Sequence, residues 1–270
     1  MNSRMSIGAT SALAVLAAAA FVPSALAQAP AFNMGWTVGD GATETYDWTV
    51  HGTLNDYGDY TVPGNKNIWT GWSYTGDLVG STDTGTWLLE WNCVFNENLV
   101  GLAGGGSAFI TANIVVTNND IVNQNFSLLM TLPTGLLGTV TERGSIVGTI
   151  TDLTFDDATV FAPVGARIYT PMIDGSAEVP GYLMNAPFQE SAGGPLFSGT
   201  VGPADFGIPV PVAASQDVDS TIGILLDFDL TAGDSASFTA IFEVLIPAPA
   251  GLPILAALGL FGGRRRRRRA

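Results

Sequence analysis

The chain has 270 residues, a formal net charge of −14, one cysteine and one histidine. A single cysteine excludes a disulfide within the chain, and one cysteine with one histidine cannot supply the usual nitrogen and sulfur ligands of zinc. His51 is interpreted as a strand-end residue rather than part of a catalytic triad, because the sequence contains no Gly-x-Ser-x-Gly nucleophile motif.

Residues 28–246 are far more acidic than the whole chain. They hold all 24 acidic residues and three basic ones, Lys66, Arg143 and Arg167, for a formal charge of −21. Such a field repels nucleic acid, so no nucleic-acid partner is expected. The simplest interpretation is a solvated acidic surface, and the alternative is that some carboxylates hold divalent cations.

The first residues have the three parts of a secretory signal peptide. Arg4 provides the positive start, residues 12–22 form an apolar run, and Ala25-Leu26-Ala27 is an A-x-A cleavage site. We expect signal peptidase to cut after Ala27, so that the mature chain begins at Gln28.

Aromatic residues are concentrated between residues 32 and 74, where strands are predicted at 44–51 and 68–74. Two alternatives stay open for Trp69, Trp72 and Tyr74. Their rings either stack on sugar rings at the surface, as in lectin-like sandwiches, or pack in the core. The sequence alone makes core packing the more ordinary outcome.

Apolar residues alternate with polar ones in the central part of the body, which predicts strands at 87–95, 110–116 and 126–132. In the first of these, the predicted buried face comprises Trp87, Leu89, Trp91, Cys93 and Phe95. Cys93 is therefore expected to be a small buried apolar residue rather than a reactive thiol.

Weaker strands are predicted at 145–152, 158–161 and 168–173. Residues 185–215, rich in Pro, Gly, Ala and Ser, are predicted to be a long connection that crosses between sheets. The last two strands, 222–230 and 238–244, are predicted to form a hairpin around a turn at residues 231–234. Together the elements predict one all-β domain, an antiparallel β-sandwich of jelly-roll or Ig-like type.

Pairs of nearby carboxylates are the only chemistry that the composition favours. Residues two apart on a strand share a face, so each pair would project together, and Ca²⁺ with oxygen ligands would relieve their repulsion. The calcium candidates, set against a plain solvated face, are Asp217, Asp219, Asp227 and Asp229. A glycoside hydrolase could also use two carboxylates, but the sequence does not pair them.

The C-terminal residues 247–270 form a distinct tail. It begins with Pro247-Ala248-Pro249, continues through an apolar run to Gly263, and ends with six arginines before Ala270. Counted from Val244, the apolar segment is about twenty residues, enough for one transmembrane helix. The basic cluster keeps its own end in the cytoplasm and places the body outside. It comprises Arg264, Arg265, Arg266, Arg267, Arg268 and Arg269.

This tail resembles the PEP-CTERM sorting signal of Gram-negative and planctomycete bacteria. Ala248 stands where that family usually has Glu, so the tripeptide is a Pro-Ala-Pro variant. The resemblance implies that an exosortase-like transpeptidase recognises the tripeptide, cuts near it, and passes the protein to the cell surface or extracellular matrix. Residues 168–175 and 233–238 also resemble, more loosely, exported planctomycete proteins of this class, and this likeness implies no catalytic residues.

The sequence therefore predicts a signal peptide at 1–27, an acidic sandwich ectodomain at 28–246 and a sorting tail at 247–270, with helices at both ends. The expected function is that of a non-catalytic exported surface or matrix protein, without a cofactor or with Ca²⁺. The alternative is a carbohydrate-binding module, with or without calcium, or a glycoside hydrolase acting on extracellular polysaccharide.

Overall fold

A computed structural model describes residues 32–39, 48–49, 70–98, 106–194 and 196–247. Within these ranges the chain is all-β, with two antiparallel sheets in a sandwich-like arrangement and one short 3₁₀ helix at Val179–Gly181. The predicted signal peptide and nearly all of the predicted sorting tail lie outside the described residues. No helix in the described part of the chain has the length and apolar character needed to cross a membrane.

The strands follow one another along the chain as β1 (Asn33–Val38), β2 (Trp48–Thr49), β3 (Thr70–Ser81), β4 (Thr86–Asn98), β5 (Ser107–Asn119), β6 (Gln124–Pro133), β7 (Thr141–Thr151), β8 (Thr159–Phe161), β9 (Arg167–Ile173), β10 (Ser176–Ala177), β11 (Leu183–Asn185), β12 (Gln189–Ser191), β13 (Ser198–Phe206), β14 (Val212–Ala213), β15 (Thr221–Leu230) and β16 (Ser235–Leu245). Sheet 1 has the order β10-β9-β15-β6-β1-β2, with β11 on β9, β8 on β15 and β12 on β8. Sheet 2 has the order β13-β7-β16-β5-β4-β3, with β14 on β7.

The alternation predicted for the central strands is confirmed. Every second residue of β4, β5, β6, β15 and β16 is buried, and these residues form one continuous apolar core with side chains from both sheets. Two contacts show how the sheets meet. The ring centroids of Phe228 and Phe238 are 4.8 Å apart, and Cys93 Sγ lies 3.8 Å from Met130 Sδ. Cys93 is a free, buried cysteine, as expected, and burial raises the pKa of its thiol.

Tryptophan rings of β4 lie across glycines of the edge strand β3. Gly76 is paired with Trp91 and Gly80 with Trp87. A Cβ atom added to Gly76 would lie 2.3 Å from Trp91 Cζ2, which is closer than van der Waals contact allows. The absent side chains therefore make room for the two large rings at the edge of the core.

The predicted hairpin at the end of the body is wrong. β15 pairs with β6, β8 and β9 in sheet 1, whereas β16 pairs with β5 and β7 in sheet 2. The turn between them carries the chain from one sheet to the other. Its backbone is held by Asn118, whose Nδ2 donates to Leu230 O at 3.1 Å and whose N–H donates to Asp234 O at 2.8 Å. These bonds replace the ladder that a hairpin would have formed.

Residues 185–215 are a crossing between sheets, as predicted, but they are not a plain connection. They contain β12, which pairs with β8 in sheet 1, and β13 and β14, which pair with β7 in sheet 2. In β13 only Val201 and Phe206 are buried, and the pairing shifts between Val201 and Ala204. The strand escapes a periodicity argument because so few of its side chains face the core.

Candidate functional site

An open concavity of about 680 Å³ lies on the outer face of sheet 2, across β3, β4, β5 and β16. The side chains that line it on the solvent side are mostly polar: Thr75, Asp77, Glu90, Asn92, Asn113, Ser237 and Thr239. The aromatic rings of the same strands, Trp91 and Phe238, are buried on the opposite face. This surface can bind a hydroxylated ligand through hydrogen bonds rather than through ring stacking.

Hydrogen bonds hold the polar side chains of this groove in a row. Thr239 Oγ1 donates to Asn113 Oδ1 at 2.8 Å, and Asn113 Nδ2 donates to the backbone O of Asn92 at 3.3 Å. At one end of the groove, Asp77 and Glu90 are directly opposite each other on β3 and β4, and both are exposed. Their Cβ atoms are about 5 Å apart, as in any antiparallel pair. Neither carboxylate stands out in the sequence.

The three aromatic residues considered for sugar stacking do not form a described surface. Trp69 lies outside the described residues, and of Trp72 only the backbone, which pairs with Phe95, is described. The surface alternative is wrong for Tyr74, which is 4% exposed and stacks on Phe32 with ring centroids 5.0 Å apart. Its ring belongs to the core because it lies on the inward face of β3.

The predicted pair Asp227 and Asp229 does share one face of β15. Asn125 Nδ2 donates to both carboxylates, at 3.1 Å and 3.0 Å. Burial raises the pKa of Asp227, and the Asn125 amide and the positive charge of Arg167 oppose this. An amide group thus bridges the two side chains in the place where the calcium hypothesis put an ion, and calcium binding by this pair stays a prediction.

The other predicted pair, Asp217 and Asp219, flanks the buried Val218 and is exposed. The carboxylate that holds this segment in place belongs to Asp174, in the turn after β9. Its carboxylate accepts the N–H groups of Asp219, Ser220 and Thr221 at 2.7 to 2.8 Å. Burial works against ionisation, but these donors outweigh it and hold the pKa of Asp174 below its usual range.

Two glutamates that do not stand out in the sequence are fully buried between the sheets. Glu142 lies on β7 and Glu178 precedes the 3₁₀ helix. Among the described residues, both Oε atoms of Glu142 and Oε1 of Glu178 have no hydrogen-bond partner, while Glu178 Oε2 accepts from the N–H and hydroxyl of Ser215. Burial, and then the charge of Glu178, raises the pKa of Glu142 to about 8. Burial therefore favours the protonated form of Glu142.

A second acidic group, the aspartate triad, consists of Asp152, Asp156 and Asp234. Asp152 follows β7, Asp156 lies in the loop before β8, and Asp234 immediately precedes β16. Each offers one carboxylate oxygen within 4.8 Å of the other two. Asp152 and Asp234 are buried and Asp156 is exposed, so the triad is open to solvent on one side.

Donors around the triad shift the two buried carboxyls in opposite directions. Burial disfavours the charge on Asp152, but N–H groups, first those of Phe155 and Thr154, outweigh it and lower its pKa. Burial raises the pKa of Asp234, and the charges of Asp152 and Asp156 add to this rise despite bonds from Thr231 and Leu153. In the sequence, Asp156 stands out only as a neighbour of Asp157. No local pattern could have joined it to Asp234, because the pairing of β7 with β16 in sheet 2 brings the residues that flank these strands together.

No family model matches the chain, and neither the curated proteins nor the solved structures searched gave a match.

Proposed function

We propose that the protein is a non-catalytic, exported cell-surface or matrix protein whose acidic body is delivered by its C-terminal tail. One structural observation carries the proposal. β16 is an interior strand of sheet 2, paired with β5 and β7 along its whole length, and it ends at Leu245, two residues before Pro247. The last described strand thus ends just before the tail begins, and removal of the tail would leave every described strand in place.

The connections of the body agree with this role. The turn between β15 and β16 and the segment 185–215 both pass from one sheet to the other, a type of connection found in jelly-roll and Ig-like sandwiches. A closed sandwich tolerates export without disulfides because its core is large enough. The proposed order is removal of residues 1–27, temporary anchoring through the apolar tail, and cutting near Pro247-Ala248-Pro249 by an exosortase-like enzyme.

Immunolabelling of intact cells with an antibody against the body tests this function. The wild-type chain should be labelled at the surface, and a variant with Arg264–Arg269 changed to alanine should lose most of that signal. Val164→Ala, at a fully exposed loop position, is the matched control and should behave as wild type. Wild-type protein confined to the cytoplasm, or equal surface labelling of the arginine variant, would contradict the proposal.

A second candidate function is carbohydrate binding, and the polar groove on sheet 2 favours it. Hydroxyl and amide groups in register across four strands, with two carboxylates at one end, suit the hydrogen bonds of a glycan. A glycan array in Ca²⁺ and in chelator, with Asn92→Ala as the groove variant and Asp205→Ala as the control, separates this role from the first. Loss of binding in Asn92→Ala alone supports it. Released sugar products would indicate hydrolysis, and no binding by wild type would exclude both.

A further inference from the structure

We propose that the aspartate triad, Asp152, Asp156 and Asp234, binds a calcium ion. This inference does not depend on whether the tail is cut or on what the groove binds. The three residues offer oxygens within 4.8 Å of one another, a spacing that one cation can span. All the ligand atoms are oxygens, which suits a hard cation and not zinc or copper.

A buried carboxylate oxygen without a partner points to a ligand at this place. Asp152 is fully buried, and its Oδ1 accepts the N–H groups of Thr154 at 2.9 Å and Phe155 at 2.8 Å. Oδ2 has no hydrogen-bond partner of good geometry among the described residues, although the N–H groups of Asp157 and Leu196 also lie near this carboxylate. Burying a carboxylate oxygen without a hydrogen-bond partner costs free energy, and coordination to a cation would offset that cost. Since Oδ1 is occupied, Oδ2 is the oxygen left for the ion.

The charge of the triad also lacks a protein counter-charge among the described residues. Arg143 is paired with Glu243, and Arg167 lies over the ring of Tyr182, 3.6 Å from its centroid. The side-chain donors at the triad are neutral hydroxyls: Thr154 donates to Asp156 and Thr231 to Asp234. Neutral donors orient carboxylates but do not remove their mutual repulsion, which a divalent ion would do.

The position of the triad favours calcium over magnesium. Asp156 is exposed and gives the ion a way in and a place for water to complete its shell. Calcium accepts six to eight oxygens in irregular arrangements, whereas magnesium demands a near-regular octahedron. The buried pair Glu142 and Glu178 offers no comparable exposed member.

Binding at this place would fasten the end of β7 to the turn that leads into its neighbour β16. Asp152 follows a strand of sheet 2, and Asp234 ends the turn by which the chain arrives from sheet 1. An ion held by both would connect the loop 152–157 to that turn. An ion that binds only the folded chain raises its stability by mass action, so calcium should raise the unfolding temperature.

Calorimetric titration of the full chain with Ca²⁺ after chelator treatment, together with thermal unfolding, tests the proposal. Wild type should bind Ca²⁺ and unfold at a higher temperature in its presence, and Mg²⁺ should have a smaller effect. Asp156→Asn, at the exposed position, should weaken Ca²⁺ binding by roughly 10-fold or more, because even loss of a residue that only orients a metal ligand commonly costs about 10-fold to 100-fold. Asp234→Asn, with its fold checked by circular dichroism, should weaken it as well.

Asp217→Asn is the matched control, because it removes an exposed aspartate that the sequence favoured as a calcium ligand. It should leave the affinity for Ca²⁺ unchanged. The proposal is overturned if wild type neither binds Ca²⁺ nor gains stability from it. It is also overturned if Asp156→Asn binds as wild type does, or if Asp217→Asn loses binding instead.

Discussion

The aspartate triad and the glutamate pair both contain buried carboxyl groups. The two sites differ in the hydrogen bonds that these groups accept and in the direction in which their pKa values shift. Asp152 accepts two N–H groups from its own loop, and its pKa is lowered. Glu142 accepts none from the part of the chain that the structure describes, and its pKa is raised to about 8. The triad opens to solvent through Asp156, whereas both members of the pair are fully buried.

The difference shows that donors, rather than burial alone, decide whether a buried carboxyl is charged. At the triad a tight loop directs backbone N–H groups at Asp152, which favours the charged form of that carboxyl. At the pair the hydroxyl of Tyr169 donates to Ile241 O at 2.8 Å instead. Without such donors among the described residues, burial favours the protonated form of Glu142.

Of the variants considered, Glu142→Gln should change the folding stability most. The folded pKa of Glu142, about 8, lies above the value of 4.5 for an exposed glutamate, so folding stability falls as the pH rises from about 4.5 to 8. A glutamine cannot ionise and removes this cost. We expect the variant to gain roughly 1–3 kcal/mol over wild type at pH 9, where the glutamate must ionise while buried and the glutamine does not, and much less at pH 5.

Urea unfolding of both proteins across this pH range measures the effect. Glu90→Gln, at an exposed position on the outer face of sheet 2, is the control and should follow wild type. If stability depends on pH in the same way in wild type and Glu142→Gln, the pKa of Glu142 is not raised in the folded protein.

Asp152→Ala should damage the triad even without calcium. The substitution leaves the N–H groups of Thr154 and Phe155 without their acceptor, a loss similar to that of a helix cap. We expect the unfolding temperature to fall by about 4 °C in chelator. Scanning calorimetry measures it, with Asp157→Asn as the control from the same loop, because asparagine tolerates the positive φ of 75° at this position. An unchanged unfolding temperature would mean that the loop does not depend on Asp152.

Tyr169→Phe tests whether the hydroxyl of Tyr169 forms a hydrogen bond with Glu142. Its bond to Ile241 O joins sheet 1 to sheet 2, so its loss should cost about 1 kcal/mol. Because the hydroxyl donates away from Glu142, the pH dependence of stability should keep its shape. A changed pH profile in urea unfolding would show that Tyr169 and Glu142 share a hydrogen bond.

Glu178→Gln should have the smallest effect on folding stability. It tests whether burial or the charge of Glu178 contributes more to the raised pKa of Glu142. Burial is the larger cause of its raised pKa, and the charge of Glu178 the smaller. Removing that charge should lower the pKa of Glu142 only in part, with a change in stability below about 1 kcal/mol. Urea unfolding of this variant across the same pH range measures the change. Full return of the pH profile to that of an ordinary glutamate would reverse the ranking.

Local sequence pattern was sufficient for strands whose alternate residues face the core. It predicted the buried faces of β4, β5, β6, β15 and β16, because burial imposes a period of two on the residues themselves. It failed for β13, where only Val201 and Phe206 are buried. It also failed for the partners of β15 and β16, since alternation specifies a strand but not its neighbour.

The acidic sites show the same limit. The shared face of Asp227 and Asp229 follows from their spacing and is present, but the amide that bridges them belongs to Asn125 on β6. Asp152 and Asp234 are joined by the fold and not by spacing. A search for pairs two residues apart could not find either the triad or the glutamate pair.

The proposed delivery of a finished domain by a removable tail is tested most directly by the intact mass of the protein recovered from the cell surface. The mass should correspond to a chain that begins at Gln28 and ends close to Pro249, without the six arginines. A mass that includes Arg264–Arg269 would contradict removal of the tail, and it would make the protein a stably anchored one instead.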